Sequence, residues 1–317
     1  MTPARVLLTG WFSFLRGEVT AGDALAADVV GHALRRAGLV CDTAWSPAFR
    51  PDALHLDALD PARYTHLVFA CGPVHSRRPP DGGPSPLLAL HDRFPAARRI
   101  AVGVSVPDPD DPAVRRFHTV LPRDGTGRPA ADLSLPAPVP PALPLVGVVL
   151  TGGQHEYGAR RRHAEVSRTL GAWLAGSGVA RLPLDTRLDS RDWRLPATPD
   201  ELHTVLARLD AVVTTRLHGL VLALRAGTPA LAVDPVEGGA KVSAQAAALG
   251  WPAVLRGEEL RPADFHHWLD WCLSDTGRAR ARAVTAGPVD GTLLWRLLAH
   301  LPAGARTGGP AGADAPR

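Results

Sequence analysis

Apolar positions along the chain fall into two kinds of run. Short continuous ones cover residues 5–9, 64–70, 99–105, 146–150, 180–184, 210–215 and 230–234. Unbroken apolarity over strand length is what a parallel strand buried on both faces requires. Longer segments with apolar residues every three or four positions alternate with them, at 22–37, 159–175, 198–209, 218–226 and 242–249. Further helices are expected at 264–273, 277–283 and 292–301. Start and stop signals agree with this division. Asp23 is suited to cap the first helix, and Thr198-Pro199-Asp200-Glu201 places proline and acids in a first turn. Gly227 followed by Pro229, and later Gly250, close their helices. Strand, loop and helix in regular alternation predict an α/β fold with doubly wound, Rossmann-like parallel sheets.

The alternation breaks once. Residues 133–145 carry five prolines in thirteen positions, and proline stiffens an extended chain while removing backbone donors. A connector is therefore expected at 136–145, between an N-terminal α/β domain at 1–135 and a C-terminal one at 146–301. The Gly/Ala/Pro-rich end, 302–317, is expected to be disordered. A length of 317 residues suits two domains of ordinary size.

Composition narrows the chemistry. The chain is 45% hydrophobic and 21% charged, with 31 prolines, 31 glycines and a net charge of +4. The excess of arginine is scattered, without the long basic tract of a nucleic-acid arm, so a small anion is the more economical partner. Cys41, Cys71 and Cys272 have neither the number nor the spacing of a disulfide framework or a zinc site, which fits a reducing cytoplasm. Arg16 and Glu18 interrupt the first apolar stretch too early for a signal peptide, and no run approaches the length of a membrane span. His266, His267 and His300 read as surface or half-buried residues, so no metal is expected.

Lys241 is the single lysine among 35 basic residues. It follows the strand at 230–234 and the loop Pro235-Val236-Glu237-Gly238-Gly239-Ala240. Twenty-five residues earlier, Arg216-Leu217-His218-Gly219 leads from a strand into a helix. Ligands of open parallel sheets gather beyond the carboxyl ends of the strands, where helix N-termini offer free amides and a positive dipole end. Arg216 adds a fork matching carboxylate or phosphate, Lys241 a compact ammonium, and His218 a hydrogen bond or a proton near neutrality. A site for a small, multiply charged anion is expected there.

The order of these residues resembles the polysaccharide pyruvyl transferase family. Its C-terminal signature runs Arg, an aromatic or aliphatic residue, His and a small residue, then a helix, Gly-x-Pro, a short strand, and a lysine before a helix ending at glycine. Here these are Arg216-Leu217-His218-Gly219, Gly227-Thr228-Pro229, the strand at 230–234, Lys241 and Gly250. Arg123-Asp124 stands where the family has Arg-Asp or Arg-Glu, and 146–150 resembles the strand opening its second half. Near the N-terminus the family's Asn-x-Gly-Asp is replaced by Thr20-Ala21-Gly22-Asp23.

The resemblance implies a glycosyltransferase-B-like architecture with the ligand cleft between the domains. Phosphoenolpyruvate would be the co-substrate, bound chiefly by the C-terminal half through Arg216, Leu217, His218, Gly219 and Lys241. Pyruvate would be placed as a ketal on hydroxyls of a saccharide or glycoconjugate, with release of phosphate. His218 would contact the donor or act as general acid, and Asp23 is a candidate base. His75, which has Arg77 and Arg78 beside it, and Gln154, His155 and Glu156 are candidates for the acceptor side or the cleft. Two alternatives share the fold: a nucleotide-sugar glycosyltransferase, with Glu237 or Glu258 at the ribose, and a non-catalytic anion-binding homologue. The acceptor sugar and the oligomeric state are left open.

Overall fold

The computed structural model describes residues 4–15, 17–153, 155–286 and 291–301; the tail expected to be disordered, 302–317, lies outside them. Contacts divide the chain into two compact units between Pro140 and Pro141, within the proline-rich stretch. The first unit contains strands β1 (Arg5–Thr9), β2 (Val40–Thr43), β3 (His66–Ala70), β4 (Arg98–Ser105) and β5 (Thr119–Asp124), with helices α1 (Ala21–Arg36), α2 (Pro86–Arg93) and α3 (Pro112–Arg115). The second contains β6 (Leu145–Val149), β7 (Ala180–Pro183), β8 (Ala211–Thr214), β9 (Ala230–Asp234) and β10 (Val254–Arg256). Its helices are α4 (His163–Ala175), α5 (Pro199–Leu206), α6 (Leu217–Arg225), α7 (Lys241–Ala248), α8 (Pro262–Leu273), α9 (Asp275–Ala286) and α10 (Thr292–Ala299).

Each unit holds one parallel five-stranded sheet. The orders are β2-β1-β3-β4-β5 and β10-β9-β8-β6-β7, the same topology counted from each unit's first strand. Both are doubly wound and Rossmann-like, the composition that a glycosyltransferase-B-like architecture uses. Alternate residues of the first unit's strands feed opposite faces, as strand geometry requires. Leu7, Leu67 and Phe69 pack on one side, and Val6, Leu8, Val68 and Ala70 on the other. In the second unit a single cluster joins β6, β8 and β9 to α4, α6 and α8 through Val146, Leu170, Val213, Leu220, Leu231 and Phe265.

Three local expectations are corrected. Asp23 is not the cap of the first helix: Thr20 is, accepting from the Asp23 amide while the Asp23 carboxylate bonds back to the Thr20 amide. This reciprocal pair is a capping box, and it satisfies two helix-end donors instead of one. The helix expected from residue 159 begins at His163. Before it lies the short 3-10 segment His155–Arg160, in which Gly158 takes φ +51°, a left-handed conformation that interrupts the helix. The helix expected through residue 209 stops at Leu206, whose carbonyl accepts from the Leu209 amide at 3.1 Å in a tighter turn and from the Thr228 hydroxyl at 2.8 Å.

His91 of α2 gives the first unit a pH dependence. The ring is buried, its Nε2 donates to the Ala113 carbonyl at 3.1 Å, and burial pushes its pKa down to about 4. The unfolded chain takes up this proton below about pH 6.5, whereas the folded unit resists until about pH 4. The stabilisation from neutral His91 is therefore whole above the upper value and disappears as pH falls through that window, by roughly 3 kcal/mol. Urea unfolding followed over this range should show that slope in the wild type and a shallower one in His91→Gln.

Candidate functional site

In a sheet of this order the crevice opens where the first strand's two neighbours lead away in opposite directions, beyond the carboxyl ends. In the second unit these are the ends of β6 and β8, with β9 alongside. A cavity of 420 Å³ lies there, lined by Gly153 after β6, Thr215 to His218 after β8, and Asp234 to Val236 with Lys241 after β9. His163, the first residue of α4, completes the wall.

Hydroxyls set the floor. The Thr214 hydroxyl donates to the Val149 carbonyl at 3.0 Å and accepts from the Arg216 amide at 3.0 Å, while Thr215 Oγ1 accepts from the Thr151 amide at 3.0 Å. The small residue after His218 has a steric reason. A Cβ at Gly219 would sit 2.1 Å from Thr214 Oγ1, so only glycine lets α6 start this close to β8. Arg216 occupies the N-cap of α6, and no side chain caps that helix, which leaves its first amides without intrahelical partners.

Lys241 opens α7. Asp234, buried at the end of β9, accepts from the amides of Ala240 and Ser243 at 2.7 and 2.9 Å and from that of Val236 at 3.2 Å. A carboxylate thus takes the place of a cap and fixes the turn that presents Lys241. A cation in the first turn opposes the helix dipole, and this applies to both Arg216 and Lys241. Their placement therefore works against helix stability, and a bound anion would reverse the sign.

The neighbouring carboxylates compensate only in part. Arg216 Nη1 donates to Asp185 Oδ1 at 2.6 Å, and Lys241 Nζ lies 3.8 Å from Glu156 Oε1 and 5.7 Å from the centre of the Tyr157 ring. Burial tends to raise the Asp185 pKa, but the bonds from Arg187 and the charge of Arg216 hold it below the usual carboxylate range. Asp185 therefore stays ionised at neutral pH. His218 is exposed and stands between this cavity and a neighbouring one of 280 Å³ formed by α5 and α6.

The other candidates separate. Glu156 lies beside Lys241, and His155 in the same turn; Gln154 falls outside the described residues. His75 and Asp23 belong to the first unit. His75 follows β3 and stacks on Trp11, which follows β1, with ring centres 4.9 Å apart, so the pair occupies that unit's own switch point. Burial and then the charge of Arg77 hold the His75 imidazole below its ordinary pKa. Arg123 is tied to Asp124, Asp132 and Ser105 at 2.8, 2.5 and 2.8 Å, a clamp across the end of β5.

Glu237 pairs with Arg162, and Glu258 accepts from the Gly238 amide, so both carboxylates offered for a ribose are engaged in loop structure. Burial, chiefly, raises all three thiols, Cys71 and Cys272 to about 12, so none supplies a thiolate near neutrality. Among the described residues no cluster of three or more histidines, cysteines or carboxylates could hold a metal, and no helix is long and apolar enough to cross a membrane.

Asp185, Asp234, His163 and Trp11 escaped the sequence reading. Asp234 alone left a local signal, an acid at the end of an apolar strand before a Gly-Gly turn. The other three reach their sites through strand order.

No curated protein matches the chain. Solved structures with similarity to it include CalG4, the calicheamicin glycosyltransferase, at 17% identity and TM-score 0.33 over 90% of this chain and 94% of that one. The spinosyn rhamnosyltransferase SpnG, complexed with thymidine diphosphate, follows at 15% identity and TM-score 0.33, over 93% and 100%. Acinetobacter baumannii MurG is 12% identical with TM-score 0.29, over 94% and 100%. Within the second unit, residues 177–235, which include Asp185, Arg216, His218 and Asp234, match the family described as polysaccharide pyruvyl transferase.

Proposed function

We propose that this protein transfers a pyruvyl group from phosphoenolpyruvate to hydroxyls of a saccharide or glycoconjugate, forming a ketal and releasing phosphate. The observation that carries this reading is the pairing of Arg216 and Lys241. Two cations at the starts of two helices line one cavity of 420 Å³. A ligand with a carboxylate at one end and a phosphate at the other fits that arrangement. Arg216 offers a fork to one anionic group and Lys241 a point charge to the phosphate. As phosphate leaves, charge accumulates on its oxygens, and fixed donors lower that barrier. His218, on the open side, contacts the donor or handles a proton. In the first unit the stacked rings of His75 and Trp11 offer an aromatic surface of the kind a sugar could pack on.

The test is phosphate release from phosphoenolpyruvate with a panel of saccharides. Release that requires both partners supports the reading. Thermal stabilisation by nucleotide sugars, with none by phosphoenolpyruvate, would replace it with a glycosyltransferase. Stabilisation by phosphoenolpyruvate without turnover of any saccharide would instead indicate an anion-binding protein.

Lys241→Arg gives a sharper local outcome. The planar guanidinium is longer than the ammonium and cannot occupy the same point, so turnover is expected to fall about tenfold or more. Full activity in this variant would remove Lys241 from the phosphate site.

A further inference from the structure

His163 is the most enclosed histidine of the cavity wall, which it shares with His218. It is 6% exposed, and its Nδ1 is buried without a hydrogen-bond partner. Gly153, at φ +94°, lies against the ring so closely that a Cβ there would be 2.7 Å from Cγ and 2.9 Å from Nδ1. The backbone on its other side is also fixed: the Arg162 amide donates to the Pro235 carbonyl and the Glu237 amide to the Arg160 carbonyl, both at 2.9 Å. The ring is thus clamped between the loops that follow β6 and β9, with one nitrogen unsatisfied. Leaving such a nitrogen unpaired costs about 1–3 kcal/mol, which a packing role alone does not require.

The charges facing it explain its resting state. Burial and the cations Arg161 and Lys241 hold the imidazole below its ordinary pKa, outweighing Asp234 and Glu156. Arg216 and His218 line the same cavity. Burial and neighbouring cations both favour the neutral form of an imidazole. A bound trianion reverses the local field.

We infer that His163 is the proton donor of this site: it takes up a proton as the anionic donor binds and passes it to the methylene carbon of bound phosphoenolpyruvate. This rests on the pyruvyl-transfer reading. The imidazolium N–H bond breaks, the carbon–carbon π pair takes the proton to form a methyl group, and the adjacent carbon becomes oxocarbenium-like. A sugar hydroxyl adds there and its proton passes to the now neutral His163 imidazole, which restores the imidazolium. The bond from that carbon to the phosphate oxygen then breaks with its electron pair on phosphate. A second hydroxyl closes the ketal, and its proton leaves with the phosphate.

Calorimetric titration of phosphoenolpyruvate into the full-length protein, in two buffers of different ionisation heat at about pH 7.5, tests this. At that pH the phosphate of the free donor is almost fully ionised, so the donor itself cannot be the group that gains the proton. The wild type should take up about half a proton or more per donor bound. His163→Gln should bind without that uptake and lose roughly a hundredfold in kcat, whereas His218→Gln should keep the uptake. Uptake unchanged in His163→Gln, or donor binding by the wild type without any uptake, overturns the inference and leaves the pyruvyl-transfer reading standing. Absence of binding removes both. Should His163→Gln fail to fold, the wild-type titration still decides, with His163→Asn as the second variant.

Discussion

Arg216→Ala is expected to weaken phosphoenolpyruvate binding by roughly a hundredfold, about 3 kcal/mol, the loss of a charge-assisted contact in a partly enclosed site. The unfolding midpoint should hardly move. The ion pair with Asp185 is part-exposed, at 29% and 21%, and such pairs contribute about 1 kcal/mol or less. Asp185 also keeps its bonds from Arg187, so removing Arg216 leaves no uncompensated carboxylate. Arg216→Lys should recover only a small part of the affinity, because an ammonium cannot hold an anion with two parallel bonds while reaching Asp185. Calorimetry on the three proteins is the check. An affinity in Arg216→Ala within threefold of the wild type would place the donor elsewhere.

Gly219→Ala should cost both stability and binding. The added carbon would meet Thr214 Oγ1 at 2.1 Å, Thr214 Cβ at 2.9 Å and Val149 Cγ1 at 3.3 Å. The Thr214 side chain is buried and held by its bond to the Val149 carbonyl, so it has little room to yield. Overpacking of this kind costs about 1–3 kcal/mol, or a fall of roughly 5–10 °C in the unit's midpoint at the upper end. The larger effect is on the site. Lifting α6 from β8 breaks the bond from the Arg216 amide to Thr214 and swings the guanidinium and His218 away from Lys241. Donor affinity should therefore fall even below the midpoint, where the unit is still folded. A variant with wild-type midpoint and wild-type affinity would mean that glycine is not needed there.

Buried parts of the fold were legible in the sequence, whereas of the four edge strands only β7 was. Unbroken apolar runs located β1 and β9 to the residue, because a strand covered on both faces has no polar positions to hide it. Val40–Thr43 and Val254–Arg256 escaped, since short edge strands alternate too little to be distinguished from loops. Thr119–Asp124 also escaped; its Pro122 is tolerated only because β5 is an edge. The cavity that forms the candidate site was legible where chemistry and helix starts coincide in sequence, as at Arg216, His218 and Lys241. Asp185 and His163 were invisible because only the strand order brings β7 and α4 to the crevice beside β8. Asp23 was misread for a local reason, since a capping box and a simple cap both place an acid near a helix start.

The proposed donor site stands or falls on where phosphoenolpyruvate sits. A crystal of the protein grown or soaked with this compound should show it at the carboxyl ends of β6 and β8, with one anionic group on the Arg216 guanidinium, the phosphate within hydrogen-bonding reach of Lys241 Nζ, and the methylene carbon toward His163. Density for the compound anywhere else, or a crevice that admits a nucleotide sugar and leaves phosphoenolpyruvate in solution, would contradict it.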